Sequence, residues 1–130
     1  MGYNILIIKT NFRIVAGNTD SVLLILKNLA TRKQDFAFVK NNLVIDSNDI
    51  SSAFEARRWL LEIDDEGNIV DLDFVGEKLG DEQILFDAIA PFVETGSYII
   101  VAGENGESGK VWRWRFDGKH CNYKVGKIIF

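Results

Sequence analysis

Val111-Trp112-Arg113-Trp114-Arg115-Phe116 lies between Gly109 and Asp117-Gly118. Large apolar and basic residues alternate over the length of one strand, between turn-forming residues. That period of two predicts a β-strand with one buried face and one wet face. Trp112, Trp114 and Phe116 share the buried parity, and Arg113 and Arg115 take the other. The stretch sets the architecture of the C-terminal third without naming a reaction.

Working outward, Tyr98 to Ala102 and a last strand within residues 121–129 complete a meander. Upstream, Asp81 is placed to cap a helix carrying Ile84, Leu85, Ala88 and Ile89, with Pro91 near its end and Gly96 as a stop. Gly76 and Gly80 bound a loop before it. The turn Asp64-Asp65-Glu66-Gly67 joins a strand over Arg57 to Ile63 to one over Asn68 to Val75. Residues 46–56 are ambiguous, although Asp49 can cap a short helix through Ala56.

In the N-terminal third, Tyr3 to Lys9 reads as a strand and Phe12 to Ala16 as its hairpin partner. Asn18, Thr19 and Asp20 precede Val22, Leu23, Ile25, Leu26 and Leu29, a spacing that predicts a helix ending near Thr31. Phe36 to Lys40 and Leu43 to Ile45 flank Asn41-Asn42 as a second tight hairpin. The sum is an α+β fold with one antiparallel sheet or two, two helices packed on one face, and a C-terminal β-meander. Residues 1–130 read as one domain that can be divided into halves 1–56 and 57–130, the first a hairpin, helix and hairpin and the second the same with an added strand.

The chain has 130 residues and 47% hydrophobic content, enough to bury a core. No run approaches the ~18 apolar residues of a membrane span. The start, Met-Gly-Tyr-Asn-Ile-Leu-Ile-Ile, lacks the features of a signal peptide. The single cysteine, Cys121, has no internal disulfide partner. These features lead us to expect a cytoplasmic protein with no membrane association.

The net charge of −4 hides a strong asymmetry. Residues 1–45 carry +4, residues 46–107 carry −13 and residues 108–130 carry +5. An acidic middle between basic ends suits either strands that neutralise one another or an acidic patch for a basic partner.

Motifs for common chemistries fail on inspection. Gly103 to Lys110 suggests a phosphate loop, but the glycine spacing is wrong, Val111 stands where Ser or Thr would bind magnesium, and a strand follows instead of a helix. Asp64, Asp65, Glu66, Asp71 and Asp73 suggest calcium, yet their flanks read as strands, not helices. His120 and Cys121 are each unique in the chain, so a zinc site lacks ligands and a serine triad lacks a nucleophile elbow. No cofactor, metal or catalytic residue is expected, although carboxylates are plentiful enough for acid–base work. Stacking of nucleic acid on the Trp–Arg strand is opposed by the acidic total and by the buried parity of the rings.

The sheet's outer face is more informative. If Trp59, Leu61 and Ile63 point inward, Arg58 and Glu62 point outward. If Val70, Leu72 and Phe74 point inward, so do Asp71 and Asp73 point outward, and Arg113 and Arg115 join them. With Asp64, Asp65 and Glu66 at the hairpin turn, these residues make a polar docking face. The bland alternative is a solvated surface, because exposed pairs contribute only some tenths of a kcal/mol each.

Gly67-Asn68-Ile69, Gly76-Glu77-Lys78-Leu79-Gly80, Ile89-Ala90-Pro91-Phe92-Val93, Gly96-Ser97-Tyr98-Ile99 and Trp112-Arg113-Trp114 together resemble a C-terminal module of small bacterial and phage-encoded proteins. The resemblance runs from Asp65 to Phe116, about forty per cent of the chain. The module has no assigned catalytic residues, so the resemblance implies a prophage or mobile-element setting and no chemistry.

The leading expectation is a non-catalytic protein-binding module with a basic protein partner. An immunity protein, or a phage-encoded inhibitor of a nucleic-acid-handling protein, fits best, and direct nucleic-acid contact is not expected. A small-ligand or nucleotide-binding domain is the alternative, and a structural or self-assembling subunit the third reading. The chain is expected to be a monomer or a homodimer.

Overall fold

The computed structural model describes residues 5–31, 41–75, 82–103 and 110–127. The fold is α+β. Strand β1 spans Ile5–Asn11, β2 Trp59–Ile63, β3 Ile69–Phe74, β4 Tyr98–Gly103, β5 Lys110–Phe116 and β6 Cys121–Lys127. Helix α1 spans Thr19–Ala30, α2 Asn41–Ile45, α3 Ile50–Ala56 and α4 Glu82–Ile89. The strands form a four-stranded antiparallel sheet in the order β1-β4-β5-β6 and a separate β2-β3 hairpin. The expected C-terminal meander is β4-β5-β6.

The tryptophan strand follows its sequence period. Trp114 and Phe116 are buried, Trp112 is half-buried and packs against the core, and Arg115 is exposed. Phe86 of α4 is the ring on which the core turns. It lies 5.2 Å from Trp114, 5.8 Å from Phe116 and 5.5 Å from Trp59, edge-on to each. One ring on one helix therefore joins the two sheets. The buried face of α4 is Glu82, Leu85, Phe86 and Ile89, whereas Ile84 and Ala88, expected inside, are only half-buried. Asp81, its expected cap, lies outside the described residues, as do Gly76 and Gly80. Past Ile89 the chain tightens into a 3₁₀ turn, Ala90–Phe92, which Pro91 accommodates.

Helix α1 buries Val22, Leu26, Leu29 and Ala30, one face at helical spacing. Its Asp20 and Lys27 sit at the ends whose partial charges they complement. The Asp49 cap also forms: its carboxylate accepts from the Ser52 amide at 2.8 Å.

Two expected hairpins do not form. Phe12 to Ala16 does not fold back on β1, because no residue at 10–12 adopts the positive φ that a two-residue turn needs. The segment runs on between the sheets instead. Ile14 exchanges two backbone hydrogen bonds with Ile69 of β3, at 3.0 and 2.9 Å. Arg13 faces the other way: its carbonyl accepts from Glu94 at 2.9 Å and its amide donates to Ser97 Oγ at 3.2 Å. Phe12 and Ile14 are thereby fully buried.

The second correction is α2. Asn41 and Asn42 begin a short helix rather than a turn. Asparagine serves helix starts as readily as turns, and one helical turn is enough to sink Val44 into the core while leaving Leu43 and Ile45 exposed. Residues 36–40, the other arm of that expected hairpin, lie outside the described residues. β1 pairs with β4, and the core cluster draws on residues from both halves. Among the described residues no helix is long and apolar enough to cross a membrane.

Candidate partner-binding face

The β2-β3 hairpin places Trp59 opposite Phe74, Leu60 opposite Asp73, Leu61 opposite Leu72 and Glu62 opposite Asp71. Directly paired residues share a face. Trp59, Leu72 and Phe74 turn inward and are buried, with Leu61 half-buried. Leu60, Glu62, Asp71 and Asp73 form the outer face, with Leu60 44% exposed. A bulge between Glu62 and Ile63 breaks the alternation there, so Ile63, expected inside, is exposed.

This outer face is one wall of an open groove of about 380 Å³, whose other side is Ile7 and Thr10 of β1. The Thr10 hydroxyl donates to Asp71 Oδ1 across the groove, and Asp71 Oδ1 also accepts from the Leu72 amide at 2.9 Å. Asp71 is therefore held in place. Glu62 and Asp73 are exposed, and Asp73 Oδ1 accepts from the Phe74 amide at 2.9 Å. Period-two reading from Glu62 would have put Leu60 on this face. The β1 wall was not readable, because its neighbour lies sixty-one residues away in the chain.

The turn acids divide by role. Asp64 organises the turn: its carboxylate accepts from the Glu66 and Asn68 amides, each at 2.9 Å, and from Asn68 Nδ2 at 3.1 Å. Asn68 in turn accepts from the Ala16 amide at 2.8 Å. The hydrogen bond from the Asn68 side chain, more than any other contact, holds the Asp64 carboxyl below its ordinary range. Gly67 closes the turn at φ +87°, the left-handed region that glycine enters without strain. Asp65 and Glu66 are exposed.

The three arginines do not join the acidic face. Arg58 ends α3 at φ 76°, left-handed for a residue with a side chain. Its guanidinium lies 3.2 Å from Glu82 Oε1 and 5.0 Å from the centre of the Phe74 ring, on the inner side of the hairpin. Arg113 and Arg115 belong to β5, in the other sheet. The structure brings Glu62, Asp71 and Asp73 together and adds Leu60, with Asp65 and Glu66 at the hairpin's turn.

Elsewhere, Cys121 is buried, and burial pushes its thiol up to about 12, with Asp87 and Asp117 adding to the effect. His120 is exposed, 3.8 Å from the Asp117 carboxylate. Asp117 accepts from the His120 and Lys119 amides at 2.7 and 2.9 Å, which lowers its carboxyl. Among the described residues no three His, Cys, Asp or Glu side chains are grouped to hold a metal ion. A comparison of this chain with protein-family models, curated proteins and solved structures gave no match.

Proposed function

We propose that this chain is a non-catalytic, cytoplasmic protein-binding module that docks a basic protein through the outer face of the β2-β3 hairpin. One observation carries the reading. Glu62, Asp71 and Asp73 share a face with an exposed leucine and no basic residue of the hairpin. Glu62 and Asp71 stand directly opposite each other, a like-charge pair that costs stability. A face kept only for solvation gains nothing from that arrangement. A basic partner turns the cost into steering and affinity, with Leu60 supplying apolar contact at the centre. An inhibitor of a nucleic-acid-handling protein, whose surface is basic by necessity, matches this chemistry.

The test is capture by the tagged full chain at low salt, run in parallel with Glu62→Lys/Asp73→Lys. One stoichiometric basic protein, retained by the parent chain, released by salt and absent from the variant, is expected. The same proteins on both baits would overturn the reading.

A second reading, a small-ligand site, is favoured by an open cleft of about 600 Å³ lined by α2, α3, Arg58 and Val75. That volume is in the range of ligand pockets, ~300–1,000 Å³. Its acidic rim, Asp46, Asp49 and Glu55, selects a cation. Native mass spectrometry of the freshly purified chain tests it: a stoichiometric small cation that is lost on denaturation supports a ligand site, and none removes the reading.

A further inference from the structure

The face of the four-stranded sheet that turns away from Phe86 carries Lys9, Arg113, Arg115 and Lys124. Register alone places its residues. One row across the sheet reads Lys9, Ile100, Arg113, Lys124. The next reads Asn11, Tyr98, Arg115, Asn122. Lys9, Arg115 and Lys124 are exposed, and Tyr98 and Arg113 are half-buried. No acidic residue shares this face among the described strands. The exposed Tyr123 and Val125 of β6 lie on the opposite face, across from Trp114 and Trp112.

Two features set this face apart from an ordinary wet surface. Arg113 stands directly opposite Lys124, a like-charge pair, and the Asp117 carboxylate at the border of the face is engaged by Asn122 Nδ2 at 3.4 Å. Arg113 Nε is also buried without a hydrogen-bond partner among the described residues, a donor that an incoming acceptor would satisfy.

We propose that this sheet face binds single-stranded nucleic acid, with Lys9, Arg113, Arg115 and Lys124 on phosphates and Tyr98 stacking a base. Charge complementarity calls for a polyanion. A flexible strand fits better than an acidic protein, because a protein interface needs an exposed apolar centre, and here Ile100 and Val111 are half-buried while Tyr98 stands directly opposite Arg115, a ring beside a cation as in a stacking platform. The net charge of −4 opposes binding only when averaged over the molecule. At 0.1 M salt, exposed charges separated by more than ~10 Å are largely screened from one another; Asp71 meets β1 at Thr10, beside Lys9, so the site rests chiefly on Arg113, Arg115 and Lys124. The proposal is independent of the docking face on β2-β3.

Fluorescence anisotropy of the full chain with a labelled 20-mer oligothymidylate tests it. Saturable binding at 50 mM salt should weaken by about 20- to 50-fold at 200 mM, the loss for three or four phosphates at a slope of ~0.7 each. Arg113→Gln/Arg115→Gln should bind more weakly, with a flatter salt slope. Tyr98→Leu should cost about tenfold with the slope unchanged. Glu62→Lys/Asp73→Lys should bind at least as well as the parent chain, which separates this site from the acidic face. No saturable binding at 50 mM by a chain with native circular dichroism would overturn the proposal. So would binding indifferent to the arginine variant. Equal displacement by poly-L-glutamate, with indifference to Tyr98→Leu, would overturn it in favour of an acidic protein.

Discussion

The Arg58 guanidinium meets the Glu82 carboxylate at 3.2 Å, with the two side chains only 16% and 2% exposed. The pair ties the end of α3 to the start of α4 and covers the Phe74 ring. It explains a left-handed arginine at a helix terminus where glycine is usual: the ion pair and the ring contact outweigh the backbone cost.

Removing one partner from such a pair leaves a buried charge behind. Glu82→Ala should destabilise by about 3–5 kcal/mol in urea unfolding. Arg58→Gly and Arg58→Ala both lose the pair, but glycine is spared the left-handed penalty of ~1–2 kcal/mol. Arg58→Gly should therefore be the more stable of the two. The reverse order would mean that φ at this position relaxes freely.

Phe86 holds the two sheets together through Trp59, Trp114 and Phe116. Phe86→Ala and Trp114→Ala should each cost about 3–5 kcal/mol. Because the rings touch, their losses should not add, and the double variant should fall short of the sum. Additive losses in a double-mutant cycle would refute the shared cluster.

Asp49, Asp64 and Asp117 all have carboxyls lowered by hydrogen bonds, chiefly from Ser52, Asn68 and His120 respectively. A depressed folded value means that the folded state binds fewer protons than the unfolded chain. Their stabilisation is fully present above the unfolded value of ~3.9 and is lost as pH falls through the lower folded values. Acid unfolding followed by tryptophan fluorescence should show this loss below about pH 4. Asp64→Asn/Asp117→Asn should start less stable at pH 7 and lose less on acidification. A variant that tracks the parent curve would dissociate these carboxylates from acid sensitivity.

Cys121 stays protonated and buried. A thiol-specific disulfide reagent at pH 8 should leave the native chain unmodified and titrate one thiol after denaturation. Stoichiometric modification of the native chain within minutes would show that β6 opens readily beside α4.

Glu62→Lys replaces the like-charged pair with Asp71 by an opposite one. Thermal unfolding should show stability unchanged or raised by some tenths of a kcal/mol, while the variant loses the basic partner. A clear loss of stability would show that Glu62 has a structural role that its exposed position does not reveal.

Strand periods, the Asp64-to-Gly67 turn, α1 and the C-terminal meander were all legible in the residues, because each is written in local pattern. The parity of Trp114 against Arg115, and of Leu72 against Asp73, follows from alternation alone. What alternation cannot reveal is which strands share a sheet. Arg113 and Arg115 match the parity needed to offset Asp71 and Asp73, yet they lie in a different sheet, because β5 pairs with β4 and β6. Phe12 to Ala16 has strand composition but no turn to fold back through, so it pairs with residues over fifty positions away. Parity points Arg58 outward, and its left-handed backbone breaks that parity. In each case long-range closure of one aromatic core set the partner. The local sequence determined the elements and their inner sides, and only the tertiary structure decided how those elements share sheets, because pairing depends on burial shared between distant segments.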